Sequence, residues 1–249
     1  MKSLINSNLM FIIVPLVLFS LITTAENKNT TIENNPTEII HSCLKQRLIK
    51  DIQTVQEIVQ TLPKKYKQRQ YNKQLDEIRK EVDSWPKQYG PDFKTIFPIN
   101  HTHEKIFHII GKIWEDRGIK RTIIWTCDPY QYLQHLPQKP GPSDKNDSLS
   151  LEMMGKETRS VAFNIASPKN TDVLISIIGL PDEARKKHIE IRKVLWTDTK
   201  KLEPVASALL PLNEENSVYK LSITGGLIQQ IWITVHSKDL APNTYNLTK

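Results

Sequence analysis

The stretch "IRKVLWTDTKKLEPVASALLPL", residues 191–212, decides the fold class. It runs β-branched and aromatic as far as Trp196, turns polar over residues 197–203, and resumes as an apolar run from Pro204. That is the signature of two strands joined by a turn. On an extended strand Val194 and Trp196 share one face, and Asp198 joins them if the strand continues. An ionised carboxylate in line with a buried tryptophan is expensive without partners. The reading therefore ends the strand at Trp196 or Thr197, sends Trp196 to the core, and has Asp198 accept backbone N–H bonds in the turn toward Lys200 and Lys201.

Working outward, the two runs of this stretch occupy residues 188–196 and 204–211, and four more of the same kind occupy 159–166, 172–179, 218–223 and 230–236, with turn residues at 168–170, 179–182, 213–216 and 225–226. Six short strands at this spacing predict an antiparallel β-sandwich of the immunoglobulin or fibronectin type. Val161, Phe163 and Ile165 share one face, as do Ile231, Ile233 and Val235, so Phe163 is a core residue. Trp232 alternates with that last set, so the strand is covered on both sides or its tryptophan faces the helical region, and Trp232 is read as a core residue. Its burial is worth at most ~4–6 kcal/mol by area.

Before residue 150 the period is helical. Ile40, Leu44, Leu48, Ile52, Val55, Val59 and Leu62 recur at steps of three and four, and Pro63 stops the run. Tyr71, Leu75, Ile78, Val82 and Trp85 form a second stripe ending at Pro86. Two amphipathic helices with a short break fold into an antiparallel hairpin. Residues 101–117 predict a third helix and residues 120–128 a strand. Residues 136–148 concentrate Pro, Gly, Ser and charge, which marks a boundary. The expected organisation is α+β: leader 1–25, polar segment 26–35, mainly helical region 36–135, linker 136–149 and β-sandwich module 150–249.

The leader carries one positive side chain, Lys2, then an apolar run from Leu9 to Ile22 and small residues up to Ala25. This pattern predicts a secretory signal peptide cut after Ala25 and a periplasmic or extracellular product with no membrane anchor after cleavage. Cleavage after residue 25 of 249 leaves 224 residues and lowers the formal charge from +7 to +6 by removing Lys2. The remaining excess lies mainly in residues 64–74, read as a solvated helix face and not a nucleic-acid site. Cys43 and Cys127 are candidates for a disulfide in an oxidising compartment. Closing the 84 residues between positions 43 and 127 would stabilise by ~4.5 kcal/mol.

Candidate chemistry is sparse. In "HTHEKIFH" His103 and His108 stand five apart, on different sides of a helix, so they do not chelate one metal; capping or surface roles are expected for these histidines. No nucleophile elbow, phosphate loop or dinucleotide fingerprint occurs, and no cofactor is implied. Asp182, Glu183, Glu190, Asp198 and Glu203 sit in turns or beside them, or point outward on strands, so none is assigned as a catalytic acid.

The segments "RSVAFNIASPKNTDVLISIIGLP" (159–181), "IRKVLWTDTKKLEPVASALLPL" and "GGLIQQIWITVHSKDLAPNTYN" (225–246) together resemble the β-sandwich region near the N-terminus of large exported bacterial proteins similar to glycoside hydrolase family 123. The resemblance covers about residues 150–249. It implies a noncatalytic module preceding a catalytic barrel, with the last strand, after residue 240, cut short. The expected function is noncatalytic: the front part of an exported glycoside-hydrolase-like protein, supporting a downstream catalytic domain. The alternative is a self-contained exported module that binds a glycan or a protein.

Overall fold

Why the first helix forms is plain from its stripe: Leu48, Ile52, Val55, Ile58 and Val59 lie along one side of α1 (Pro36–Gln60) and are all buried. The computed structural model describes residues 36–85, 92–141 and 149–240. The predicted signal peptide, the polar segment 26–35, most of the linker and the shortened strand after residue 240 lie outside them. α2 (Lys65–Asp83) buries Tyr71, Leu75, Ile78 and Val82. Gln56 accepts from Arg79, and Lys45 donates to the Asp83 carbonyl, so the two helices run antiparallel as the hairpin required. The basic residues 64, 65, 69 and 73 are exposed, as a solvated face should be.

α3 (His101–Asp116) starts where Asn100 Oδ1 accepts the His103 N–H at 2.9 Å, an N-cap satisfying one of the free donors of the first turn. Its indole at Trp114 is fully buried and donates to the Pro137 carbonyl at 3.0 Å.

The strands are β1 (Ile123–Cys127), β2 (Thr158–Ala166), β3 (Thr171–Ser176), β4 (Ile189–Asp198), β5 (Pro204–Pro211), β6 (Glu214–Glu215), β7 (Val218–Ile223) and β8 (Gln229–His236). They form two antiparallel sheets, β1-β2-β8-β4-β5 and β3-β7-β6. Phe163, Ile165, Ile189, Ile191 and Ile231 of the first sheet share a core with Ile175, Tyr219, Leu221 and Ile223 of the second. The fold is therefore mixed α+β with two facing antiparallel sheets. A short helix, α4 (Asp182–His188), stands where the sequence expected only a turn.

The described residues on the two sides of the segment 136–149 fall within one compact unit and share a core. Trp125, Ala166, Trp196, Leu227 and Ile228 belong to the same apolar cluster as the helix residues, on the face of the five-stranded sheet opposite Phe163. Leu136 is buried and Pro137 bonds Trp114, so the linker begins as packed chain. Backbone contacts tighten the junction. A Cβ on Gly111 of α3 would overlap the Pro168 carbonyl, and one on Gly226 would overlap the Phe107 carbonyl. Gly226 also has φ +85°, a conformation glycine takes without strain.

Candidate functional site

Asp198 closes β4, paired with Pro204, and the strand does not stop before it. The register irregularity lies between Leu195 and Trp196 and skips Ser207 on β5, so β4 itself alternates regularly. Asp198 consequently shares the face of Val194 and Trp196 and points at the helices. The partner that this placement demands is Arg47 of α1, whose Nη1 donates to Asp198 Oδ1 at 3.1 Å and to the Leu202 carbonyl at 2.8 Å. Leu202 takes φ +56° in the turn that presents this carbonyl. The turn role expected of Asp198 falls to Thr199, whose N–H donates to Glu203 O and whose hydroxyl accepts the Glu203 N–H.

Arg47 opens a larger cluster. Its Nη2 donates to Asp51 Oδ1 at 2.6 Å, one helical turn on, with Arg47 3% and Asp51 0% exposed. Asp51 Oδ2 is 2.8 Å from His103 Nε2, and Asp51 Oδ1 is 2.8 Å from His135 Nε2. The Ile99 N–H donates to His103 Nδ1 at 3.2 Å. That nitrogen must be the unprotonated one, so His103 is neutral and donates to Asp51 through Nε2. Burial pulls the His103 pKa down, more strongly than the Asp51 charge raises it. Burial opposes ionisation of Asp51 too, yet hydrogen bonds from His103 and His135 outweigh it and hold that carboxyl well below the usual carboxylate range. For Asp198 burial wins over the pull of Arg47, with the nearby Asp51 charge adding to it, and the pKa is raised. Phe97 and Phe107 pack their rings on His103, and Phe97 and Trp196 pack on His135.

This constellation has the residue types of acid–base chemistry but not the layout. A carboxylate pair working on a glycosidic bond needs open space between its members for sugar oxygen or water. Here one guanidinium fills the space between Asp51 and Asp198. His103 has both ring nitrogens committed. Only the His135 and Asp198 side chains reach solvent, at 14% and 19% exposure. What the cluster does physically is join α1, α3, the chain before β2 and the end of β4. Arg47 Nε is buried with no hydrogen-bond partner among the described residues, a cost the surrounding ion pairs must cover.

The remaining sequence candidates are scattered. Cys43 and Cys127 are both free thiols, Cys43 exposed and Cys127 half-buried, so the candidate disulfide is not formed. Gln230 Nε2 donates to Cys127 Sγ at 3.3 Å. Trp196 and Phe163 are buried as expected, the indole of Trp196 donating to the Ile228 carbonyl at 2.9 Å. Trp232 is only half-buried and lies outside the helical core; its ring meets exposed Tyr130 edge to face at 5.6 Å. The capping or surface role expected of the histidine cluster holds for His101, but His103 is fully buried. His108 sits half-exposed beside Asn170 and Glu104.

Sequence reasoning does not single out Arg47, Asp51 or His135. Arg47 and Asp51 did leave a signal, since a cation and an acid at i and i+4 lie inside the apolar stripe of Leu44, Leu48, Ile52 and Val55. Among the described residues no group of His, Cys, Asp and Glu is arranged to hold a metal ion, and no helix is long and apolar enough to cross a membrane. No protein-family model matches the chain, and no curated protein matches it either.

Proposed function

We propose that this chain is a noncatalytic exported module, a helix-braced β-sandwich of immunoglobulin or fibronectin type, that supports a glycoside-hydrolase-like catalytic domain. The observation that carries the reading is the use made of the best acid–base constellation. Arg47, Asp51, His103, His135 and Asp198 bond to one another and span helices and sheet, in the manner of an internal brace. Residue types that elsewhere perform hydrolysis are spent here on rigidity. A rigid body of facing sheets is what a supporting module needs, because relative motion would misplace the domain it carries.

The test is direct. The purified chain is incubated with chromogenic glycosides, and the DNA following codon 249 is read in all frames. No turnover, with βα repeats encoded downstream, is the expected outcome. Turnover that survives Asp51→Asn and Asp198→Asn would point to a catalytic centre elsewhere on the chain, and turnover abolished by them would turn the brace into an active site. A binding role is the second reading, favoured by the exposed rings of Tyr130 and Tyr132.

A further inference from the structure

Five residues stand side by side across the five-stranded sheet: Cys127 on β1, Ala162 on β2, Trp232 on β8, Arg192 on β4 and Pro211 on β5. They lie on the face that carries Trp125 and Trp196 further along; Ala162 is fully buried in this row, Trp232 and Arg192 are part-exposed, and Trp232 stands outside the helical core cluster. The next rows are Ser160, Thr234 and Glu190, then Thr158 and His236. We propose that this face, over which no helix of the described residues lies at Trp232, binds a neutral oligosaccharide, with Trp232 and Tyr130 as the stacking platform and Glu190, Arg192 and His236 as the hydroxyl-binding edge. The proposal rests on the reading of the chain as a noncatalytic module and names the ligand class that module would hold.

Three features of the face lead to this occupant. The aromatic rings are preorganised. Trp232 donates its Nε1–H to Gln230 Oε1 at 2.8 Å, so the polar edge of the indole is satisfied within the sheet. Tyr130 is 85% exposed, yet its backbone is pinned, because its N–H donates to Asp128 Oδ1 and the Gln131 N–H donates to Asp128 O. The two rings meet at 86°, forming a corner. Rigid aromatic surface held open to water carries little ordering cost on binding. Tyr132, two residues on, is 78% exposed.

The polar rim is paired and close to neutral. Arg192 Nη2 is 2.7 Å from Glu190 Oε2, and His236 Nε2 is 3.3 Å from Glu190 Oε1. Ser160 and Thr234 hydroxyls bond across the strands at 2.9 Å. A patch whose cation and anion cancel offers no field to a phosphate or a nucleic acid, both of which bind through surplus positive charge. Planar carboxylate and guanidinium groups do offer paired acceptors and donors at the spacing of adjacent sugar hydroxyls. Third, among the described residues these rows present Trp232 and its neighbour Tyr130 beside polar side chains, and no row of large aliphatic side chains of the kind a helix partner docks against. Flat rings beside neutralised polar groups match the apolar C–H faces and hydroxyl edges of pyranose rings.

The experiment titrates the intact protein by calorimetry with soluble hexasaccharides of β-1,4-linked glucose, xylose, mannose and N-acetylglucosamine. The same titrations are run on Trp232→Ala, Tyr130→Ala and, as a distant control, Tyr66→Ala, with melting curves to verify folding. Binding of at least one hexasaccharide is expected, weakened at least about tenfold by Trp232→Ala and by Tyr130→Ala, and unchanged by Tyr66→Ala. Should Trp232→Ala fail to fold, Tyr130→Ala decides alone. Binding that is indifferent to both ring deletions overturns the site. No binding across the panel overturns the ligand class, as does self-association abolished by Trp232→Ala, which would make a second copy of the chain the occupant. New reducing ends in the cell after titration would defeat the noncatalytic reading while leaving the site standing, so the two failures are distinguishable.

Discussion

Replacing Asp51 by asparagine should be among the most damaging near-isosteric changes available to this protein. The carboxylate is fully buried and accepts from Arg47, His103 and His135. An amide offers one acceptor oxygen, and its NH2 must then face a donor on the other side, either an imidazole N–H or the guanidinium. Breaking a buried ion pair by removing one partner costs ~3–5 kcal/mol. Asp198 and the Leu202 carbonyl remain to hold Arg47, which puts the expected loss at about 3 kcal/mol. In a unit of this size that corresponds to roughly 6–12 °C in Tm. Urea denaturation of wild type, Asp51→Asn, Arg47→Met and the double variant measures both the loss and its coupling. An interaction energy of about 2 kcal/mol is expected for the pair. A single-variant loss below about 1 kcal/mol, with simple additivity, would refute the brace.

Other outcomes follow from the same geometry. Asp198→Asn should change stability by less than about 1 kcal/mol, because burial already resists its charge and an amide oxygen still accepts from Arg47; a loss near that of Asp51→Asn would contradict this. Trp196→Ala should cost about 3–5 kcal/mol and Trp232→Ala clearly less, the reverse order being the adverse result in melting experiments. His103 has a folded pKa below its ordinary 6.5, so its contribution is complete above pH 6.5 and is lost as pH falls and the unfolded chain takes the proton. Asp51 acts in the same sense below its ordinary 3.8, whereas raised Asp198 contributes fully only below 3.8 and loses that contribution as pH rises. The urea midpoint should therefore fall from about pH 7.5 to about pH 5.5, and a rise would count against a neutral buried His103. Alkylation without reductant should label Cys43 at once and Cys127 slowly, since burial raises the Cys127 thiol pKa; an intact mass lacking both labels would restore the disulfide.

Much of this architecture is readable from periodicity. Steps of three and four along Leu48, Ile52, Val55 and Val59 specify α1, and alternation in residues 159–166, 204–211 and 218–223 marks β2, β5 and β7 within a residue. Failures arose where partners came from far along the chain. Asp198 on the Trp196 face is expensive without a partner, and that partner, Arg47, stands 151 residues away, where strand periodicity carries no sign of it. Trp232 alternates like a covered residue, yet the helices cover only part of that sheet face, and coverage is a tertiary fact. The helix α4 leaves no periodic signal because its seven residues after Pro181 are too few to show one, and its Arg185 pairs with Glu214 from β6.

The central claim is that the Arg47–Asp51 cluster makes helices and sheets one cooperative body. Native-state hydrogen exchange, followed by mass spectrometry on wild type and Asp51→Asn, tests it most directly. In wild type, amides of α1, α3, β4 and β8 should open with one common free energy, and in Asp51→Asn all four should fall together by about the global loss. Opening of α1 and α3 at lower free energy in wild type, with β4 and β8 untouched by Asp51→Asn, would contradict it.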